Sequence, residues 1–195
     1  MKDGIELPYK ELSKFDKFSE FKQISFSKCE RNHGAIYLKA LWLNNTKVLN
    51  EFERFGETIH QIMLNKRTYD KQSYLGYTDI SYCENGWLIE PKFTPLETIS
   101  FSVKGKSYRN KIDVCQLINR QWIIGLQISS NGSGHGSGLS IWDDVYNSKK
   151  EALMSGLNSI IKWHITEKCS ISKEIEKLAI EKLNELNDIG QLQLF

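Results

Sequence analysis

The stretch Ile99-Ser100-Phe101-Ser102-Val103, with Lys104-Gly105-Lys106, then Ile112-Asp113-Val114-Cys115, Asn119-Arg120-Gln121 and Trp122-Ile123-Ile124-Gly125-Leu126-Gln127-Ile128, reads as strands divided by turns. Apolar and polar residues alternate over 99–103, which places one set of side chains on a single face of a pleated strand. Lys-Gly-Lys and Asn-Arg-Gln break the runs where the chain must reverse. Successive short strands joined by short turns pair as an antiparallel meander, and this decides the fold class.

Upstream, Tyr77 to Cys83, Glu84-Asn85-Gly86 and Trp87 to Glu90 predict two more strands around a turn in which Asn-Gly favours positive backbone dihedrals. Before them, Val48, Leu49, Phe52, Phe55, Ile59, Ile62 and Met63 recur at three- and four-residue steps behind Thr46 as N-cap, which predicts one helix to about residue 66. Residues 35–43, Ala-Ile-Tyr-Leu-Lys-Ala-Leu-Trp-Leu, are apolar and aromatic enough for a first strand and equally compatible with a helix. Residues 1–23 form an arm or short helix, so that 1–45 is an arm plus a first strand and 46–128 a helix plus sheet. Ile-Ser-Phe-Ser occurs at 24–27 and again at 99–102, but the flanking residues do not repeat and no duplication follows.

Downstream, Ser129 to Gly138 is too poor in side chains to pack and reads as an exposed loop dividing sheet from helices. It lacks the Gly-Lys-Ser/Thr ending of a phosphate-cradling loop. Over 139–189 a last strand precedes two helices. Ser148 and Glu151 form a capping box for the first, whose inward face is Leu153, Leu157, Ile160, Ile161 and His164. The second uses Ile171, Ile175, Leu178, Ala179 and Leu186 and ends before Gly190, freeing 190–195. The expected fold is α+β: an antiparallel meander of five to seven strands packed against about three helices, with a free C-terminal peptide.

With 195 residues, 40% of them hydrophobic, the chain can bury a core, and a formal net charge of +2 excludes a broad electrostatic grip on nucleic acid. Cysteines at 29, 83, 115 and 169 lack the regular spacing of a disulfide framework or metal knuckle and read as thiols of a reducing cytosol. No stretch reaches the roughly 20 apolar residues of a membrane span, and the first residues carry acid where an export signal would be apolar, so a soluble cytoplasmic protein without a membrane partner is expected.

Gln191-Leu192-Gln193-Leu194-Phe195 resembles the motif Gln-Leu-(Ser or Asp)-Leu-Phe with which bacterial polymerases, mismatch-repair proteins and many plasmid or phage proteins bind the DNA polymerase sliding clamp. The resemblance implies that Gln191 contacts the pocket rim, Leu192 lies along the groove, and Leu194 and Phe195 fill the apolar pocket. Residue 193 is Gln where the motif has Ser or Asp. Residues 122–195, with Gly-Leu-Ser-Ile-Trp-Asp-Asp-Val-Tyr-Asn-Ser-Lys-Lys-Glu-Ala-Leu, are also similar to small uncharacterised plasmid and phage proteins. Together these imply a non-enzymatic accessory protein of DNA metabolism from a mobile element or phage, with the clamp as partner, DNA as a further one, and no cofactor.

The alternative is an enzyme. Asp79 with Glu90-Pro91-Lys92 resembles the core of the PD-(D/E)xK nucleases, where two carboxylates hold magnesium and a lysine stabilises charge on phosphate, with Glu57 as the helical acid. Pro91 departs from the aliphatic residue usual there. For nucleic-acid contact, Lys104, Lys106, Arg109 and Lys111 beside Tyr108 combine phosphate-binding charge with a stacking ring, or serve as a solvated hairpin tip. Cys29 and His33 supply half of a zinc site that no second pair completes, and Asp143-Asp144 suits the positive end of the following helix, so no metal ligand set is assigned.

Overall fold

Helices gather in the first part of the chain and the sheet in the second, as two units, Met1–Pro91 and Lys92–Phe195. The computed structural model describes residues 8–28, 30–103, 109–130, 133–167 and 170–192, with 167, 170, 171 and 188–192 given by their backbone alone. The fold is α+β.

In the first unit a 3-10 turn (Tyr9–Glu11) precedes α1 (Lys14–Gln23), α2 (Arg31–Trp42), α3 (Thr46–Glu53) and α4 (Ile59–Tyr74). Residues 35–43 are therefore mostly helix and not a strand. Tyr37 and Leu41 of α2 enter a core with Tyr9, Phe52, Ile59, Ile62 and Met63. The single helix expected over 46–66 is two. Asn45, one residue before the expected cap, accepts from the Val48 N–H, and Thr58 starts α4 by accepting from the Gln61 N–H. Gly56 lies in the break between them. A Cβ there would stand 2.5 Å from Gln61 Cβ and 3.0 Å from Ile62 N, so the chain passes the first turn of α4 this closely only as glycine.

The turn at Asn85-Gly86 reverses the chain, with Gly86 at φ 76° and its N–H donated to the Cys83 carbonyl. The two strands expected around it shrink to one antiparallel bridge, Tyr82 to Leu88. Side-chain amides of α4 take over the role of a neighbouring strand. Asn65 Nδ2 donates to the carbonyls of Phe55 (2.7 Å) and Gly86 (2.8 Å), and its Oδ1 accepts from the Leu88 N–H. Gln61 donates to the Asn85 carbonyl and Gln72 to that of Asp79. Backbone groups satisfied in this way need no sheet partner.

In the second unit β1 (Glu97–Phe101), β2 (Asn110–Gln116), β3 (Trp122–Ser129) and β4 (Gly134–Ser137) form an antiparallel sheet in sequence order. Four strands, not five to seven, are paired among the described residues. The register Ile99–Ile112–Leu126, with Val114 opposite Ile124, brings the apolar set to one face. Against that face pack Ala152, Leu153, Leu157 and Ile160 of α5 (Lys149–Glu167) and Ile175 and Ala179 of α6 (Ser170–Leu192). Each leucine or isoleucine among them withdrawn from water contributes roughly 1.5–3 kcal/mol, and each alanine less. The capping box forms: Ser148 Oγ accepts from the Glu151 N–H, while Glu151 reaches the Asn147 N–H.

Two expectations fail here. The Gly-rich segment contains a strand, since β4 pairs Gly134–Ser137 with Leu126–Ser129 through backbone alone and needs no side chains at a sheet edge. Beyond it the chain runs over the sheet, where a Cβ on Gly125 would lie 2.9 Å from Leu139 N. The last helix does not stop before Gly190 but continues to Leu192. A single glycine costs about 1 kcal/mol relative to alanine, too little to end a helix among good helix formers.

Candidate functional site

The described part of the clamp-type peptide is its start. Gln191 and Leu192 have helical backbone in the last turn of α6, whereas Leu194 and Phe195 lie outside the described residues. The helix that carries the peptide is anchored by Ile175 and Ala179, both fully buried under the sheet.

The residues of the nuclease pattern do not share a pair of strands. Asp79 is exposed in irregular chain and only its carbonyl is held, by Gln72. Glu90 is exposed beyond the single bridge, and the division between the two units falls between Pro91 and Lys92, inside the Glu-x-Lys element. Glu57 is not on a helix. It stands in the turn before α4, where its N–H donates to Gln61 Oε1. Among the described residues no three His, Cys, Asp or Glu side chains come together as metal ligands. His33 Nε2 lies 3.0 Å from an Asp70 carboxylate oxygen, a carboxylate that Lys66 also holds, and Cys29 is outside the described residues.

Of the basic turn, Lys104, Lys106 and Tyr108 lie outside the described residues, Arg109 is exposed, and Lys111 is committed to Asp113 at 2.5 Å. Burial raises the Asp113 carboxyl, but the hydrogen bonds from Lys111 and Thr98, with the lysine charge, outweigh it and hold the group below the ordinary carboxylate range. Lys111 is thus partly neutralised as a phosphate contact. Beside it, Gln127, Gly134 and Gly136 border a hollow of about 490 Å³.

Three further places stand out, two polar and one apolar. In the first unit an open cleft of about 940 Å³ is lined by Lys10, Glu53, Arg54, Glu57, Tyr82 and Glu84, among others. Glu53 Oε1 takes both the Lys17 ammonium (2.8 Å) and the Tyr37 hydroxyl (2.7 Å). Burial pushes the Tyr9 phenol up to about 12 and raises Tyr37 further, so both remain protonated beside this pair. In the second unit His164 Nε2 lies 2.9 Å from Asn110 Oδ1, and Nδ1 lies 3.0 Å from Ser172 Oγ. The Asn110 amide is oriented by Ser129, whose N–H it accepts and whose carbonyl it donates to. Its Oδ1 can only accept, so His164 Nε2 carries a proton toward it, while Nδ1 faces the Ser172 hydroxyl. The order Ser-His-Asn is that of a nucleophile, base and orienting group. Ser172 is at 0% exposure, however, and the network ties α5, α6 and β2 together instead of meeting a substrate.

The third place is apolar with a cationic border. Phe18 and Phe21 of α1, Ile24, Phe26, and Ala35, Leu38 and Trp42 of α2 line an open groove of about 840 Å³ in the first unit. Nothing in the hydrophobic pattern announced it, because residues 35–43 were apolar on every side. Compared with family models, curated proteins and solved structures, the chain matches none.

Proposed function

We propose that the protein is an accessory factor of DNA metabolism, of a mobile element or phage, brought to the polymerase sliding clamp by Gln191, Leu192, Leu194 and Phe195. The observation that carries this reading is the peptide Gln191-Leu192-Gln193-Leu194-Phe195. A short peptide binds through a few deep anchors, and a leucine and a phenylalanine each transferred from water contribute roughly 1.5–3 kcal/mol, together up to about 6 of the roughly 8 kcal/mol that micromolar affinity requires, with the contacts of Gln191 and Leu192 to supply the rest. A ring with several equivalent pockets turns such affinity into retention on DNA. The weak net charge of +2 fits delivery by a partner better than direct capture by phosphate.

Docking in extended form requires the last helical turn, with Gln191 and Leu192, to open. Terminal turns open at little cost, since their final carbonyls have no helical partner. Titration of labelled clamp with the full chain, with Leu194→Ala/Phe195→Ala and with a chain ending at residue 190 tests the reading. Micromolar binding by the full chain and a loss of roughly 100-fold in both variants are expected. Equal binding by all three would remove the proposal.

A further inference from the structure

The outer face of α2 leaves an apolar surface exposed in the first unit. Helix α2 is apolar on two sides. Its inner side, Tyr37 and Leu41, is in the core of the first unit, while Ala35, Leu38, Lys39 and Trp42 form an i, i+3, i+4, i+7 stripe turned away from it. Trp42 is 72% exposed and Leu43 61%. Across from the stripe, Phe18 meets the Trp42 ring edge-on at 6.2 Å, and Phe21 and Phe26 lie 4.8 Å apart between centroids. The result is a concave apolar groove, not a scatter of single exposed side chains.

The charges that line this groove have one sign. Lys22 and Lys39 are its only charged lining residues among those described. Lys14 adds a third cation at the Trp42 end, where its ammonium is fixed by the Trp42 carbonyl and the Asn44 side chain. We propose that the groove receives an amphipathic helix of a partner protein whose apolar face fills it and whose flanks are acidic. An aromatic cleft ringed by lysines is matched by leucine or phenylalanine anchors at helical spacing with Glu or Asp beside them. A second copy of this chain is disfavoured, because a two-fold contact would set Lys22 and Lys39 against their own equivalents. A lipid surface is flat and would leave a concave floor unfilled.

The test uses the full chain and two labelled fifteen-residue helical peptides with the same leucine and phenylalanine face, one flanked by glutamates and one by lysines. By fluorescence anisotropy the glutamate peptide binds at least tenfold more tightly than the lysine peptide. Trp42→Ser, a change at an exposed position, lowers its affinity at least tenfold, and Lys22→Glu with Lys39→Glu reverses the preference. Leu194→Ala/Phe195→Ala leaves it unchanged, so that the groove and the clamp peptide fail or succeed separately. Equal binding of the two peptides, binding of neither, or no effect of Trp42→Ser overturns the proposal. So does a Trp42-dependent dimer in sedimentation, or Trp42-dependent flotation with phosphatidylglycerol vesicles in place of peptide binding.

Discussion

Asn110 holds both backbone groups of Ser129 and accepts the Nε2 proton of His164, so its truncation leaves three polar groups without their partner. Asn110→Ala is expected to cost roughly 2–4 kcal/mol in denaturant unfolding, since each orphaned group forfeits its desolvation cost. Asp113 gives the second unit an acid-sensitive contact. Its carboxyl is held low in the folded chain, so its contribution is complete above the unfolded value near 3.9 and disappears as pH falls through the folded one. The stability difference between the natural chain and Asp113→Asn should therefore be constant near neutrality and close from about pH 5 downward. A gap that widened in acid would mean that the Lys111 and Thr98 contacts do not favour the charged form.

Three helices, α2, α4 and α6, show how a pattern is read differently once its surroundings are known. Residues 35–43 satisfy strand and helix templates alike because apolar side chains point in every direction, and only the packing of Tyr37 and Leu41 on α3 and α4 selects the helix. The side-chain amides of Gln61, Asn65 and Gln72 on α4 hold the segment that was expected to be a hairpin. In α6 the helix passes through Gly190, which gives the clamp reading a further consequence. Gly190→Ala stabilises the last turns by about 1 kcal/mol, and if binding must unwind them, affinity for the clamp should fall about fivefold. Unchanged affinity together with increased helicity would show that the peptide docks without unwinding.

Across the full chain, a net charge of +2 and a Lys111 already paired with Asp113 leave little sequence-independent attraction to DNA. At about 0.15 M salt the protein alone should wash off DNA-cellulose, and loaded clamp on circular DNA should retain it. Retention without clamp would point to the basic turn near Arg109 instead. The meander of the second unit, the capping box at Ser148, the inward stripe of α5 and, in α6, the inward placement of Ile175, Ala179 and Leu186 could be read directly, because they depend on neighbours within a few residues and on a two- or 3.6-residue period, whereas Leu178, expected on the same face, is exposed. The clamp-type peptide is likewise a linear feature. The break at Gly56, the edge strand at Gly134–Ser137, the separation of Asp79 and Glu90 from any paired strands, the Asn110–His164 network and the groove under Trp42 could not be read in this way. Each arises from groups distant in the chain meeting in space, where close approach, hydrogen-bond satisfaction and the choice of which apolar face is covered override local preference.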